Sequence, residues 1–137
     1  MAYNESIVSI SLNADSSIAV YTGVPGQPGS TDPNGGKQYL FVKVTGSNTA
    51  GLADTTSGEQ VIGVLQNKPQ EVNAPASVAI SGVSLVVAGG TVAAGAPIKT
   101  NNAGKAVTGT PGTDTIIGVA LKGGASGTLI PVLLRTN

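Results

Sequence analysis

This chain predicts an all-β domain, a small barrel or sandwich, on three observations. Short alternating runs of aliphatic and β-branched residues recur along it. Gly, Pro and Asn punctuate those runs. No window places apolar residues at i, i+3, i+4 and i+7 without a Gly or Pro breaking the pattern. The 137 residues favour one domain spanning residues 1–137, long enough to bury an independent core.

The elements follow in order. Ile7 to Leu12 alternates Val8, Ile10 and Leu12 against Ser9 and Ser11, and Ser17 to Thr22 repeats the habit. Gln38 to Val44 is the most β-favouring stretch, and its Tyr39 reads as a core residue. Further strands are expected at Gln60 to Gln66, Ser77 to Ser81, Val83 to Ala88, Pro97 to Thr100, Lys105 to Thr108, Asp114 to Leu121 and Thr128 to Leu134. Residues 1–12 read as an extended N-terminal arm or strand. The stretch Gly23 to Gly36 has three Pro, five Gly and almost nothing apolar, so it reads as a long exposed loop.

The tripeptide Ile-Gly-Val occurs twice, at Ile62-Gly63-Val64 and Ile117-Gly118-Val119, each time in a short apolar run that leads into polar turn residues. Gly inside a strand weakens it, so its presence there points to a bulge or a close approach of two backbones. The two segments are expected to be structural counterparts, central strands of one β core.

Composition narrows the function. There is no Cys, His or Trp, which removes disulfides, thiol nucleophiles, the commonest metal ligand and the neutral-pH acid/base group. Seven basic and seven acidic residues cancel, so no electrostatic footprint for nucleic acid or an anionic membrane exists. No apolar run is long enough to span a bilayer, and the first residues lack the pattern of a secretory signal. Charged residues make up only 10% of the chain, against about 25% in ordinary soluble domains, and a surface that poor in charge is suited to being covered by other protein.

Candidate chemical motifs fail on spacing. Around Lys37 a phosphate loop would need Gly where Thr31 stands and Ser or Thr where Gln38 stands. Asp32 and Asn34 begin like a calcium loop, but Gly36 replaces the third ligand. Glu59 and Asp114 each precede an Ile-Gly-Val strand and are the one carboxylate pair an enzyme reading could use; solvated strand-start residues are the simpler account. Without His no Ser triad forms. The Val-rich stretch Ser77 to Thr110 has the look of a lipoyl-carrier barrel, yet neither Lys99 nor Lys105 has the setting of a modified lysine. No catalytic residue, metal ligand or cofactor is expected.

From Gln38 to Leu134 the order of segments is distinctive: KQYLFVKV, GEQVIGVLQNKPQ, ASVAISGVSLVVAGGTVAAGAPIKTNNAGKAV and DTIIGVALKGGASGTLIPVLL. With its Gly-Val strands and its Ala-Gly-x-Pro-Ile-Lys-Thr-Asn turn, this resembles the small capsid decoration, or cement, proteins of tailed bacteriophages. The opening MAYNESIVSISL is similar to their extended N-termini. The resemblance implies a β-tulip-like barrel and homotrimers bound to the major capsid protein on the outside of the head, without enzymatic activity. The Gly23 to Gly36 insertion goes beyond the family pattern.

On that reading, Ala2, Tyr3, Asn4 and Glu5 are the candidate capsid contacts, with the arm adding to a capsid sheet edge and Tyr3 as its anchor. Pro25, Pro28 and Asp32 join them if the long loop reaches a neighbour instead of facing solvent. The competing reading is a non-catalytic surface module for carbohydrate or host adhesion. It would need aromatic platforms, and only Tyr3, Tyr21 and Tyr39 are available.

Overall fold

The computed structural model of the chain describes residues 7–19 and 37–134. Among these residues the strands are β1 (Val8–Ala14), β2 (Phe41–Gly46), β3 (Thr49–Leu52), β4 (Val61–Leu65), β5 (Pro75–Val87), β6 (Pro97–Thr100), β7 (Ala106–Thr108), β8 (Gly118–Ala120) and β9 (Leu129–Leu134). A 3-10 turn at Gly58–Gln60 leads into β4, and the described residues contain no α-helix. The all-β expectation holds: the molecule is a small closed β-barrel with extra strands.

Hydrogen bonding runs in the order β3-β2-β4-β5 and then β9-β8-β6-β7, with β5 and β9 paired antiparallel in the middle. Chain order within each half is the same. The strands β2-β3-β4-β5 and β6-β7-β8-β9 therefore make two copies of one four-stranded unit. The registers agree residue by residue. Val42 sits opposite Gly63 as Ile98 sits opposite Gly118, and Leu65 opposite Val78 as Ala120 sits opposite Val132. The two Ile-Gly-Val segments occupy the same place in the two units, as the sequence led us to expect.

Their glycines have a common reason. A Cβ on Gly63 would run into the carbonyl oxygen of Ala79 on β5, and one on Gly118 into that of Leu133 on β9. Each unit brings its third strand too close to its fourth for any side chain at that point. The first unit also bulges there: Val42 faces Gly63 but Lys43 faces Val61, leaving Ile62 as the extra residue.

Two ladders close the first unit into a five-stranded barrel. β1 runs antiparallel to β5 from Val8 to Asn13 and parallel to β3 at Asn13 and Ala14. The second unit curls likewise, where Ala88 bridges Ala106 and the Gly89 N–H donates to the Ala106 carbonyl at 2.8 Å. Strand β5 serves both halves. It skips Ile80 against β1 and passes through Gly82 at φ 94°, a backbone setting that favours glycine. That break re-aims its side chains, so Ala79 before it and Val86 after it reach the same core.

The described residues form two cores. The smaller fills the inside of the first barrel with Val42, Ala50, Leu65, Ala76 and Val78, plugged by Ala14 and Ile18. The larger holds the equivalent inner residues of the second unit, Ile98, Ala106, Ala120 and Val132. It is completed by Phe41, Val64 and Ala79 from the outer face of the first unit. The units are thus stacked, with the outside of the first against the inside of the second.

Several strand expectations need correction. Ser17 and Ile18 lie in a turn, not a strand, because the Asp15 carboxylate accepts from the Ser17 N–H at 2.8 Å and its carbonyl from the Ala19 N–H at 2.9 Å. Ser77 to Ser81 and Val83 to Ala88 are one 13-residue strand that Gly82 kinks without ending. The expected strand at Asp114 to Leu121 shrinks to Gly118–Ala120, and β3 was unforeseen. Tyr39 precedes β2 at φ 67° and is half-buried rather than core.

Candidate functional site

Two regions qualify for scrutiny: the cleft where acidic and basic side chains meet, and the exposed apolar surface.

The cleft lies between the two units. It measures about 60 Å³ and is bordered by Asp54, Thr55 and Val61 on one side and by Lys99, Thr100 and Asp114 on the other. Small-molecule sites are typically about 300–1,000 Å³, so this one admits a few waters and no metabolite. Its charges come from a duplicated device. Lys43 on β2 pairs with Asp54 at 3.2 Å, and Lys99, at the same place on β6, pairs with Asp114 at 3.2 Å. Each pair pins the connection that leads into an Ile-Gly-Val strand.

Hydrogen bonds complete the pinning. Asp54 accepts from the Thr56 hydroxyl at 2.7 Å and the Ser57 hydroxyl at 3.0 Å, while its own N–H donates to the Ser57 oxygen at 2.8 Å. With the Lys43 ammonium, these donors hold the Asp54 carboxyl well below the usual carboxylate range. Asp114 is lowered too, first by the Thr110 N–H at 2.8 Å and then by Lys99. Acid/base catalysis needs two groups whose environments push them apart, one kept protonated and one ionised. Both carboxylates here are pushed the same way. The cleft brings Asp114 together with Asp54; the side chain of Glu59, the other carboxylate the sequence singled out, lies outside what the structure describes. Sequence spacing does not mark Asp54, because sheet pairing is what brings Lys43 to it.

Among the described residues no group of three acidic side chains is placed to hold a metal. Lys99 is engaged with Asp114, which suits a structural lysine better than a carrier lysine.

The exposed apolar surface has two parts. On β1, Val8, Ile10 and Leu12 share one face. Leu12 reaches the smaller core, whereas Ile10 is 40% and Val8 54% exposed, so the row runs out past the end of the barrel. Over Val8 to Leu12 only one edge of β1 is paired, with β5; its other edge meets no strand among the described residues until Asn13. Proteins blunt such edges with Lys, Pro or bulges. Ser9 and Ser11 supply neither charge nor proline. The second part is the outer face of β5, β9 and β8, carrying Leu85, Leu133 and Leu129.

Of the contacts expected from sequence, Ala2, Tyr3, Asn4, Glu5, Pro25, Pro28 and Asp32 all lie outside the described residues. What is described is the strand the first four lead into, with Ile7, Val8 and Ile10 exposed at its start.

Comparison with known proteins adds the following. A family model described as phage cement protein matches residues 34–135, most of the chain. A solved structure, the head fiber gp8.5 N base of bacteriophage phi29, is similar at a TM-score of 0.60 with 17% sequence identity, covering 94% of each chain; at that identity the likeness speaks for the fold. No curated protein matches.

Proposed function

This chain belongs to the phage cement protein family, structural proteins that decorate and stabilise the capsid, and from that premise we propose that it acts as a homotrimer bound across neighbouring major capsid protein subunits, with no catalytic step. The work is mechanical. A head filled with DNA is pushed outward, and a protein seated across several subunits adds interfaces that must break together. Standard interfaces bury roughly 1,200–2,000 Å² in total. Three linked copies raise avidity about 10²- to 10⁴-fold with no new kind of contact.

The observation that carries the reading is β1. Its apolar face continues into solvent at Ile10 and Val8, and the edge between Val8 and Leu12, which pairs with no strand among the described residues, has no charge or proline to keep another strand away. Residues 1–5 precede that end of the strand in the sequence. An arm there can add to a capsid sheet edge through backbone hydrogen bonds, with Tyr3 as the side-chain anchor. The paired carboxylates of the cleft, both held ionised, support a non-catalytic role.

Co-sedimentation with undecorated, expanded heads tests the proposal. The full chain is expected to pellet with heads, and removal of Met1 to Glu5 is expected to weaken binding while leaving the circular dichroism spectrum unchanged. Equal binding by the shortened and full chains would reject the arm.

A further inference from the structure

We propose that the outer face of β5, β9 and β8 is the surface on which a second copy of this chain packs. This inference rests on the self-association part of the reading above and assigns it a place. The duplication of the fold shows which face lacks its counterpart's cover. In the first unit, Val64 and Ala79 point outward and are fully buried, because the second unit covers them. Their equivalents in the second unit are Val119 and Leu133, which occupy the same register positions on β8 and β9. There the face is open: Leu133 is 36% exposed, and Val119 is half-buried.

The open face is apolar throughout, with exposed leucines around a buried Pro131. Leu133 stands opposite Val83 and Val119, and Leu129 opposite Val87. Leu85 stands opposite Pro131, whose carbonyl accepts from the Leu121 N–H at 2.9 Å. Leu85, Leu121, Leu129 and Leu133 are each between 36% and 47% exposed. None of these ladder positions carries a charge. Four half-exposed leucines on one sheet face make a patch of a few hundred Å², at the upper end for a monomer. It supplies the centre of a standard interface of about 800 Å² per partner, the remainder coming from a polar rim.

A second copy fits the face better than a different partner does. The inner residues that seal the counterpart face, Ile98, Ala106, Ala120 and Val132, are already buried within each copy, so what a second copy offers this face is its own apolar leucines. Permanent self-interfaces are also the more apolar class, whereas contacts made between independently folded partners are about as polar as the rest of the surface.

Sedimentation velocity on the full chain, without capsids, tests the assignment. Wild type is expected to self-associate across a dilution series from about 100 to about 1 μM, and Leu133→Lys and Leu85→Glu are each expected to raise the dissociation constant at least about tenfold. Both side chains point to solvent, so the circular dichroism spectrum should be unchanged; Ile10→Lys, equally exposed but on β1, should leave association as it is. A wild type that stays monomeric, or an oligomer indifferent to both folded variants, overturns the proposal. Head binding is scored separately. A monomer that still coats heads overturns this inference and spares the cement reading. An oligomer that the variants dissolve, but that leaves heads bare in every form, does the reverse.

Discussion

Replacing Gly63 by Ala tests the reason given for the repeated tripeptide. The new methyl group would overlap the Ala79 carbonyl oxygen, with the Ala79 carbonyl carbon at 2.9 Å and the Val78 Cγ1 at 3.1 Å. The nearest obstacle is backbone, so no side chain can rotate away. Strand β4 must instead shift by about 1 Å from β5, which strains their ladder at Val64–Ala79 and Leu65–Val78. Overpacking of this kind costs about 1–3 kcal/mol, and each weakened buried hydrogen bond adds about 1 kcal/mol. The stiffer unfolded chain returns about 0.4–1 kcal/mol. The net expected loss is about 2–3 kcal/mol, a large part of the roughly 5–15 kcal/mol that holds a domain together. For a chain of this length that lowers Tm by about 10 °C. Urea unfolding followed by circular dichroism reads it directly, with Gly90→Ala as the control: nothing lies within 4 Å of a Cβ there, and its φ is not positive. A Gly63→Ala protein as stable as wild type would refute the close-approach account, and Gly118→Ala should behave like Gly63→Ala.

Two further outcomes are expected. Ser84 is buried at 2% exposure, its hydroxyl accepting from Gln66 Nε2 at 2.8 Å and donating to the Leu85 carbonyl at 3.0 Å; Ser84→Ala should cost about 1–2 kcal/mol in the same urea assay by leaving the Gln66 amide short of a partner. Asp15, Asp54 and Asp114 are all lowered from 3.8, Asp15 because the Ser17 and Thr45 hydroxyls outweigh its partial burial. A depressed folded pKa adds stability that is present above the unfolded value and lost as pH falls through the folded one, so stability should hold down to about pH 4 and then decline, and Asp54→Asn should flatten that decline.

Much of the fold was legible in the residues themselves. The alternation in Ile7 to Leu12 gave β1, and the twin Ile-Gly-Val segments marked equivalent strands, because a glycine kept inside an apolar strand signals backbone crowding. Punctuation by Gly misled at Gly82, which reads as a terminator yet only re-aims a continuous strand. It hid β3 altogether, since Thr49-Ala50-Gly51-Leu52 is poor in β-formers and becomes a strand only because β2 and β1 flank it. The apparent strand at Ser17 lost to the Asp15 side chain, a local hydrogen bond that alternation does not register. At the site, Asp114 was visible from its position before a strand. Asp54 was not, because its partner Lys43 is brought to it by sheet pairing rather than by sequence. The apolar face of β5, β9 and β8 was hidden for a similar reason: Leu85 and Leu133 look like core residues until the duplication shows which unit lacks a cover.

The central claim is that this chain strengthens a phage head by binding to its outer surface. The most direct measurement is the temperature at which DNA-filled heads rupture, followed by a dye that reports released DNA, for bare heads and for heads saturated with the purified protein. The account predicts a higher rupture temperature for the decorated heads. Saturated heads that burst at the same temperature as bare ones would contradict it.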